Sequence, residues 1–216
     1  MQQYLVNKNS DNLLIFFTGW GCDEYEFQHL KSNSDVLLLY NYSDMSLDFD
    51  FSKYKEINLI SFSAGVFAAS IMNFDFKINN KIAISGNPYL FDETFGLSEK
   101  IQNVLCGITE ENADDFAKNY LVKTGDEYKN FHNSSRTLES CRAEFDSLKR
   151  LYKVNKQNIR DIYDKALFGN DDKIFDISKQ KEFYGKRMYI IDNARHSIFF
   201  RIESYEQIYN YLMNQD

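Results

Sequence analysis

The sequence predicts an α/β protein: a mostly parallel sheet flanked by helices. Short apolar, β-rich runs recur along the chain, and they are continuous where a half-exposed strand would alternate. Such runs suit strands buried on both faces. Helical patterns fall between them, and a β-then-α alternation winds a parallel sheet with helices on either side.

Taken in order, Tyr4–Asn7 is a candidate first strand, and Leu13–Phe17 and Val36–Tyr40 follow. Ile57–Ser61 leads into a helix over Ala64–Asn73, and Ile82–Ser85 is the next strand. The alternation then breaks. From about Leu97 to Arg160 the pattern is helical, clearest over Glu110–Tyr120 and Ser135–Lys153. On the second of these, Leu138, Cys141, Phe145, Leu148 and Tyr152 recur at spacings of three and four and form one apolar stripe. Strands resume at Ala166–Phe168 and Met188–Ile191, with helices over Ile177–Tyr184 and from Ser197 to about Met213. A chain of 216 residues suits one core. The expectation is a single domain over 1–216 with a helical insertion at about 97–160.

Composition narrows the function. With 19 Phe and 15 Tyr the chain has ample apolar surface to bury, which argues against disorder. A net charge of −7 argues against a general nucleic-acid binder. Cys22, Cys106 and Cys141 are odd in number and far apart, so neither a disulfide scaffold nor a zinc site is expected. Reduced thiols, the lack of a secretory pattern at the amino terminus and apolar runs of about five residues point to a soluble, cytoplasmic protein with no membrane span. A monomer without metal or organic cofactor is expected.

The segment Ile57-Asn-Leu-Ile-Ser61-Phe62-Ser63-Ala64-Gly65 carries the chemistry. A strand runs into small-x-Ser-x-Gly and then into a helix rich in small residues. A serine on so sharp a turn is pushed out of the sheet, and small neighbours at −2 and +2 let strand and helix approach. Ser61 stands where glycine is common. Of three histidines, His29 and His132 lie in polar or helical stretches, whereas His196 follows the strand Met188–Ile191 across a short loop. Only His196 is expected at the sheet edge that carries Ser63. The acid is expected at Asp172, after the strand Ala166–Phe168. This gives the order Ser, Asp, His of α/β hydrolases. Asp171 is the neighbouring alternative, and Asp92 or Glu93, after Ile82–Ser85, is another. Thr18-Gly-Trp20-Gly21 follows the second strand, so the backbone N–H groups of Trp20 and Ala64 are candidates for an oxyanion hole.

The stretches FFTGWGCD, LLLYNYSDMSLDFDFSKYKEINLISFSAGVFAAS, IAISGNPYLFDETFGL, GNDDKIF and ARHSIFF resemble the small esterases of the BioG type, which are pimeloyl-acyl-carrier-protein methyl ester esterases of biotin synthesis. The resemblance runs nearly end to end. It implies an α/β hydrolase with a small helical lid, hydrolysis of the methyl ester on carrier-bound pimelate, and nucleophile, base and oxyanion roles for Ser63, His196 and Trp20. Acyl carrier protein is strongly acidic, so its docking surface should be locally basic. Residues 133–166 carry eight Lys/Arg against five Asp/Glu in a chain of net charge −7. If the helix continues that far, Arg142, Lys149, Lys153 and Lys156 share one face and form the candidate docking surface. A thioesterase or general short-chain esterase of the same fold, and a non-catalytic interaction module, are the alternatives.

Overall fold

The computed structural model describes residues 1–123 and 125–213; of the expected 1–216 domain, Thr124 and residues 214–216 lie outside the described residues. Seven strands form one sheet: β1 (Gln2–Val6), β2 (Asn12–Phe17), β3 (Asp35–Tyr40), β4 (Glu56–Phe62), β5 (Lys81–Ile84), β6 (Lys165–Gly169) and β7 (Met188–Ile191). Their order is β1-β3-β2-β4-β5-β6-β7. All neighbours run parallel except β1, which pairs antiparallel with β3 along the edge. Its exposed and half-exposed side chains fit that edge place.

Both faces of the sheet are covered, which accounts for the continuous apolar runs. Leu13, Ile15 and Phe17 of β2 face one core, together with Phe67 from α1 (Ala64–Ser70). Leu14 and Phe16 face the other, together with Phe199, Tyr205 and Ile208.

Between β5 and β6 lie α2 (Glu99–Cys106), α3 (Ala113–Phe116), α4 (Asp126–Lys129) and α5 (Leu138–Asn155). The expected stripe of α5 is turned inward, with Cys141, Phe145, Leu148 and Tyr152 buried. The Tyr152 ring lies 5.5 Å from that of Phe67. The carboxyl-terminal part of the chain adds α6 (Ile177–Tyr184) and α7 (Glu206–Met213).

Several boundaries differ from expectation for local reasons. The helix expected over Ser135–Lys153 begins at Leu138, because Thr137 caps it by accepting the Ser140 N–H at 3.2 Å. Ser135 is held outside it by Asp23, which accepts both its N–H and its hydroxyl at 2.7 Å. At the other end the helix stops at Asn155. Lys156 is its C-cap, with helical angles (φ −50°, ψ −35°), so the basic face keeps its direction. The helix expected over Glu110–Tyr120 is a short α3 followed by a π-helical turn, Ala117–Leu121. Its start is delayed because the Asn112 side chain bonds Thr109 N–H and Gly107 C=O. The helix expected from Ser197 is broken near Glu203–Ser204, where the backbone pairs with Lys31.

Candidate functional site

The loops after β2, β4, β6 and β7 all leave the carboxyl edge of the parallel strands, where α/β sheets place their ligand crevice. Ser63 directly follows β4 and caps α1, with φ +53° and ψ −120°. A residue other than glycine rarely adopts such angles, which cost about 1–3 kcal/mol. The surroundings hold it there. Its N–H donates to Ile84 C=O at 2.9 Å, and its C=O accepts from Val66 N–H at 3.0 Å. Gly65 makes the turn possible, since a Cβ there would stand 2.4 Å from the carbonyl oxygens of Phe17 and Thr18.

The loops after β6 and β7 are zipped to each other. Asp171 N–H donates to Ala194 C=O at 2.9 Å, and Asn193 N–H donates to Asn170 Oδ1 at 2.8 Å. A Cβ on Gly169 would lie 2.3 Å from Ala194 O, so only glycine permits this closeness. The result brings together the three residues singled out. His196 Nε2 lies 3.0 Å from Ser63 Oγ, and Nδ1 lies 2.9 Å from Asp172 Oδ2. The other Asp172 oxygen accepts the N–H groups of Ile174 (2.8 Å) and Phe175 (3.2 Å), which fixes the carboxylate. His196 is 3% exposed, and its ring is flanked by Phe62 and Phe175. The Asp172 carboxylate on Nδ1 leaves Nε2 as the lone-pair nitrogen facing the serine.

The alternative acids lie elsewhere. Asp171 is paired with Lys123 and Arg195. Asp92 accepts the N–H groups of Thr94 and Phe95 in its own turn. Glu93 is exposed. His29 bonds Phe199 C=O, and His132 is exposed.

Trp20, Ala64, Ser63 and His196 line one cavity of about 370 Å3. Among the described residues no protein acceptor pairs with the backbone N–H of Trp20 or of Ala64. The cavity wall is mostly apolar, with Leu97, Leu105, Ile108, Phe116 and Leu121 from the helical segment. Cys22 and Cys141 also reach it. Burial pushes both thiols up, so neither is a thiolate at neutral pH. No group of three or more potential metal ligands occurs among the described residues. No described helix is long and apolar enough to cross a membrane.

Of the basic residues singled out, Arg142 donates to Ile108 C=O at 3.1 Å, Lys149 lies over the Phe145 ring at 4.7 Å, and all four including Lys153 and Lys156 are exposed.

Sequence reasoning passed over Glu144 and Arg136. Glu144 is fully buried on α5 and forms an ion pair with Arg136 at 2.5 Å. It also accepts the N–H groups of Gly21 (3.1 Å) and Tyr42 (2.9 Å). One signal was available: an acid three residues after Cys141 and four before Leu148, on the apolar stripe.

The sheet and the turns at its carboxyl edge define an α/β hydrolase. Solved structures agree on this fold. A lipase-esterase related protein from Clostridium acetobutylicum matches with a TM-score of 0.65 at 17% identity over 98% of each chain. The family model described as pimeloyl-ACP methyl esterase BioG matches residues 1–208, and the chain belongs to that family. The crystal structure of BioG from Haemophilus influenzae matches with a TM-score of 0.81 at 24% identity, covering 96% of this chain and 99% of that one. A malonyl-[acyl-carrier protein] O-methyltransferase of Bacteroides fragilis is 30% identical over 182 residues, 80% of this chain. The match spans 36% of that protein's length.

Proposed function

We propose that the protein is a serine carboxylesterase that removes the methyl group from pimeloyl-acyl-carrier-protein methyl ester in biotin synthesis. The observation that carries the chemistry is the Ser63–His196–Asp172 relay, at 3.0 and 2.9 Å, opening on an apolar cavity. Family membership supports the substrate. In this reading the protein is one hydrolase domain, the helical segment at about 97–160 is its lid, and it works in the cytoplasm as a monomer.

His196 Nε2 takes the Ser63 proton as Oγ attacks the ester carbonyl. Asp172 holds the ring orientation and stabilises the imidazolium. The N–H groups of Trp20 and Ala64 receive the oxyanion. His196 then protonates the methoxide, and methanol leaves. A water molecule, deprotonated by His196, attacks the acyl-serine, and its collapse returns the proton to Ser63 and frees the carboxylate, still joined to the carrier by its thioester. Arg142, Lys149, Lys153 and Lys156 meet the acidic carrier.

Ser63→Ala tests the nucleophile. Methanol release from the carrier-linked ester should fall by several orders of magnitude in a protein with an unchanged melting curve. Near-normal turnover by the folded variant would end the assignment, and wild-type activity on short free esters but not on the carrier-linked one would favour a general esterase.

A further inference from the structure

Resting on the esterase reading above, we propose that Glu144 is a positioning residue for the oxyanion hole, clamping the loop that carries Trp20 onto α5. Three hydrogen bonds converge on this fully buried carboxylate. Oε2 accepts the Gly21 N–H at 3.1 Å and Arg136 Nη1 at 2.5 Å, and Oε1 accepts the Tyr42 N–H at 2.9 Å. Gly21 and Tyr42 follow β2 and β3, neighbouring strands, so one side chain fixes the loops at both strand ends. Trp20 itself is gripped from the same helix, because its indole Nε1–H donates to Cys141 C=O at 2.6 Å. The peptide that follows the candidate oxyanion donor and the side chain of the same residue are therefore both tied to α5.

Arg136 balances the charge and completes the clamp. Its Nη2 donates to Ser140 Oγ at 2.9 Å, and Nη1 lies 3.5 Å from Cys22 C=O. A buried ion pair is weak evidence for stability, since apolar residues of similar volume often do as well. What an apolar replacement could not do is accept the Gly21 and Tyr42 N–H groups. The Gly21 N–H belongs to the peptide next to a donor whose placement decides how well it meets the developing oxyanion, and small displacements there cost rate.

Glu144→Gln retains the shape and gives up one acceptor, so whichever way the amide turns, a backbone N–H or Arg136 faces a donor. Glu144→Asp keeps the charge and withdraws both oxygens by one methylene; it carries the test should the amide variant not fold. With a short methyl ester we expect kcat to fall roughly 10- to 100-fold while KM stays within about twofold, because the hole is used in the transition state. A trifluoromethyl ketone, which forms an oxyanion on the serine, should lose affinity by a factor matching the loss in kcat/KM. The corresponding methyl ketone should bind as before. Exchange of the Gly21 amide should speed up in the same variant. Ile208→Ala, buried on the opposite face of the sheet, should lower the melting temperature without changing the ratio of the two ketone affinities.

Turnover within twofold of wild type in both Glu144 variants, or equal loss of both ketones, would overturn the positioning role. Absence of turnover in the wild-type protein would instead sink the esterase reading, and the inference with it.

Discussion

At the carboxyl edge of the sheet, Ser63, Asp172 and His196 ride on short turns whose shape comes from backbone: a positive φ at Ser63, glycines at 65 and 169, and loop-to-loop N–H bonds. Across the cavity, the helices between β5 and β6 are held by side chains reaching far along the sequence. Asp23 bonds Ser135, Glu144 bonds Gly21 and Tyr42, and Trp20 bonds Cys141. The first region is stiff because its geometry leaves few alternatives. The second is held by apolar packing and by buried polar bonds whose partners lie far away in the sequence. Damage should therefore be local and chemical at the sheet edge, and distributed and dependent on pH or partner in the helical wall.

The sheet edge should give the larger effects. Asp172→Asn keeps the volume but favours the wrong imidazole tautomer, and kcat should drop by roughly 10²- to 10⁴-fold. Asp171→Asn and Asp92→Asn, whose carboxylates bond elsewhere, should stay within a few-fold. A severe Asp92→Asn variant would move the acid to the loop after β5.

The seam between the two regions holds Glu26, which lines the cavity. Burial, reinforced by the charge of Asp23, pushes its carboxyl from 4.5 up to about 7, against the opposing effects of Cys22 and Arg136. The folded state thus holds this proton more tightly than the unfolded chain. Stability contributed here is fullest below pH 4.5 and declines as pH rises towards 7, by on the order of 3 kcal/mol. Urea unfolding of Glu26→Gln across pH 5 to 8 should show this decline flattened, with the variant more stable than wild type above pH 7. Parallel pH profiles for the two proteins would place the Glu26 proton affinity near that of the unfolded chain.

The smallest expected effect is on the outer face of α5. Lys149→Glu with Lys153→Glu should raise KM for the carrier-linked ester several-fold, mainly through slower association. Salt should weaken the wild-type protein in the same direction. Hydrolysis of a small free ester should be nearly unchanged. Equal loss on both substrates would make these lysines a solvated face and no more.

The same contrast explains what the sequence made legible. Ser63 stood out because strand, small residues and helix start are contiguous. Strand-then-loop spacing, together with the scarcity of histidine, pointed to His196 and favoured Asp172 as the acid, with Asp171, Asp92 and Glu93 left as alternatives. The physical difference between the neighbours appears only in the turn itself, in which the Asp171 carboxylate faces Lys123 and the Asp172 carboxylate faces the imidazole. The helical wall was legible as amphipathic helix and little else. No local pattern announces that Glu144 will meet residues 123 and 102 positions earlier. The π-helical turn at Ala117–Leu121 was equally hidden, because its partners lie in the loop that follows β7.

That π-helical turn ties His196 to the helical segment between β5 and β6. Tyr120 C=O accepts the N–H of His196 at 3.4 Å, and Leu121 C=O accepts that of Ser197 at 2.9 Å. The backbone on which His196 sits is thus pinned to the helical segment at two consecutive residues, besides the bonds that zip its loop to the one after β6. A change in the winding of 117–121 is therefore felt directly at the loop that carries the imidazole.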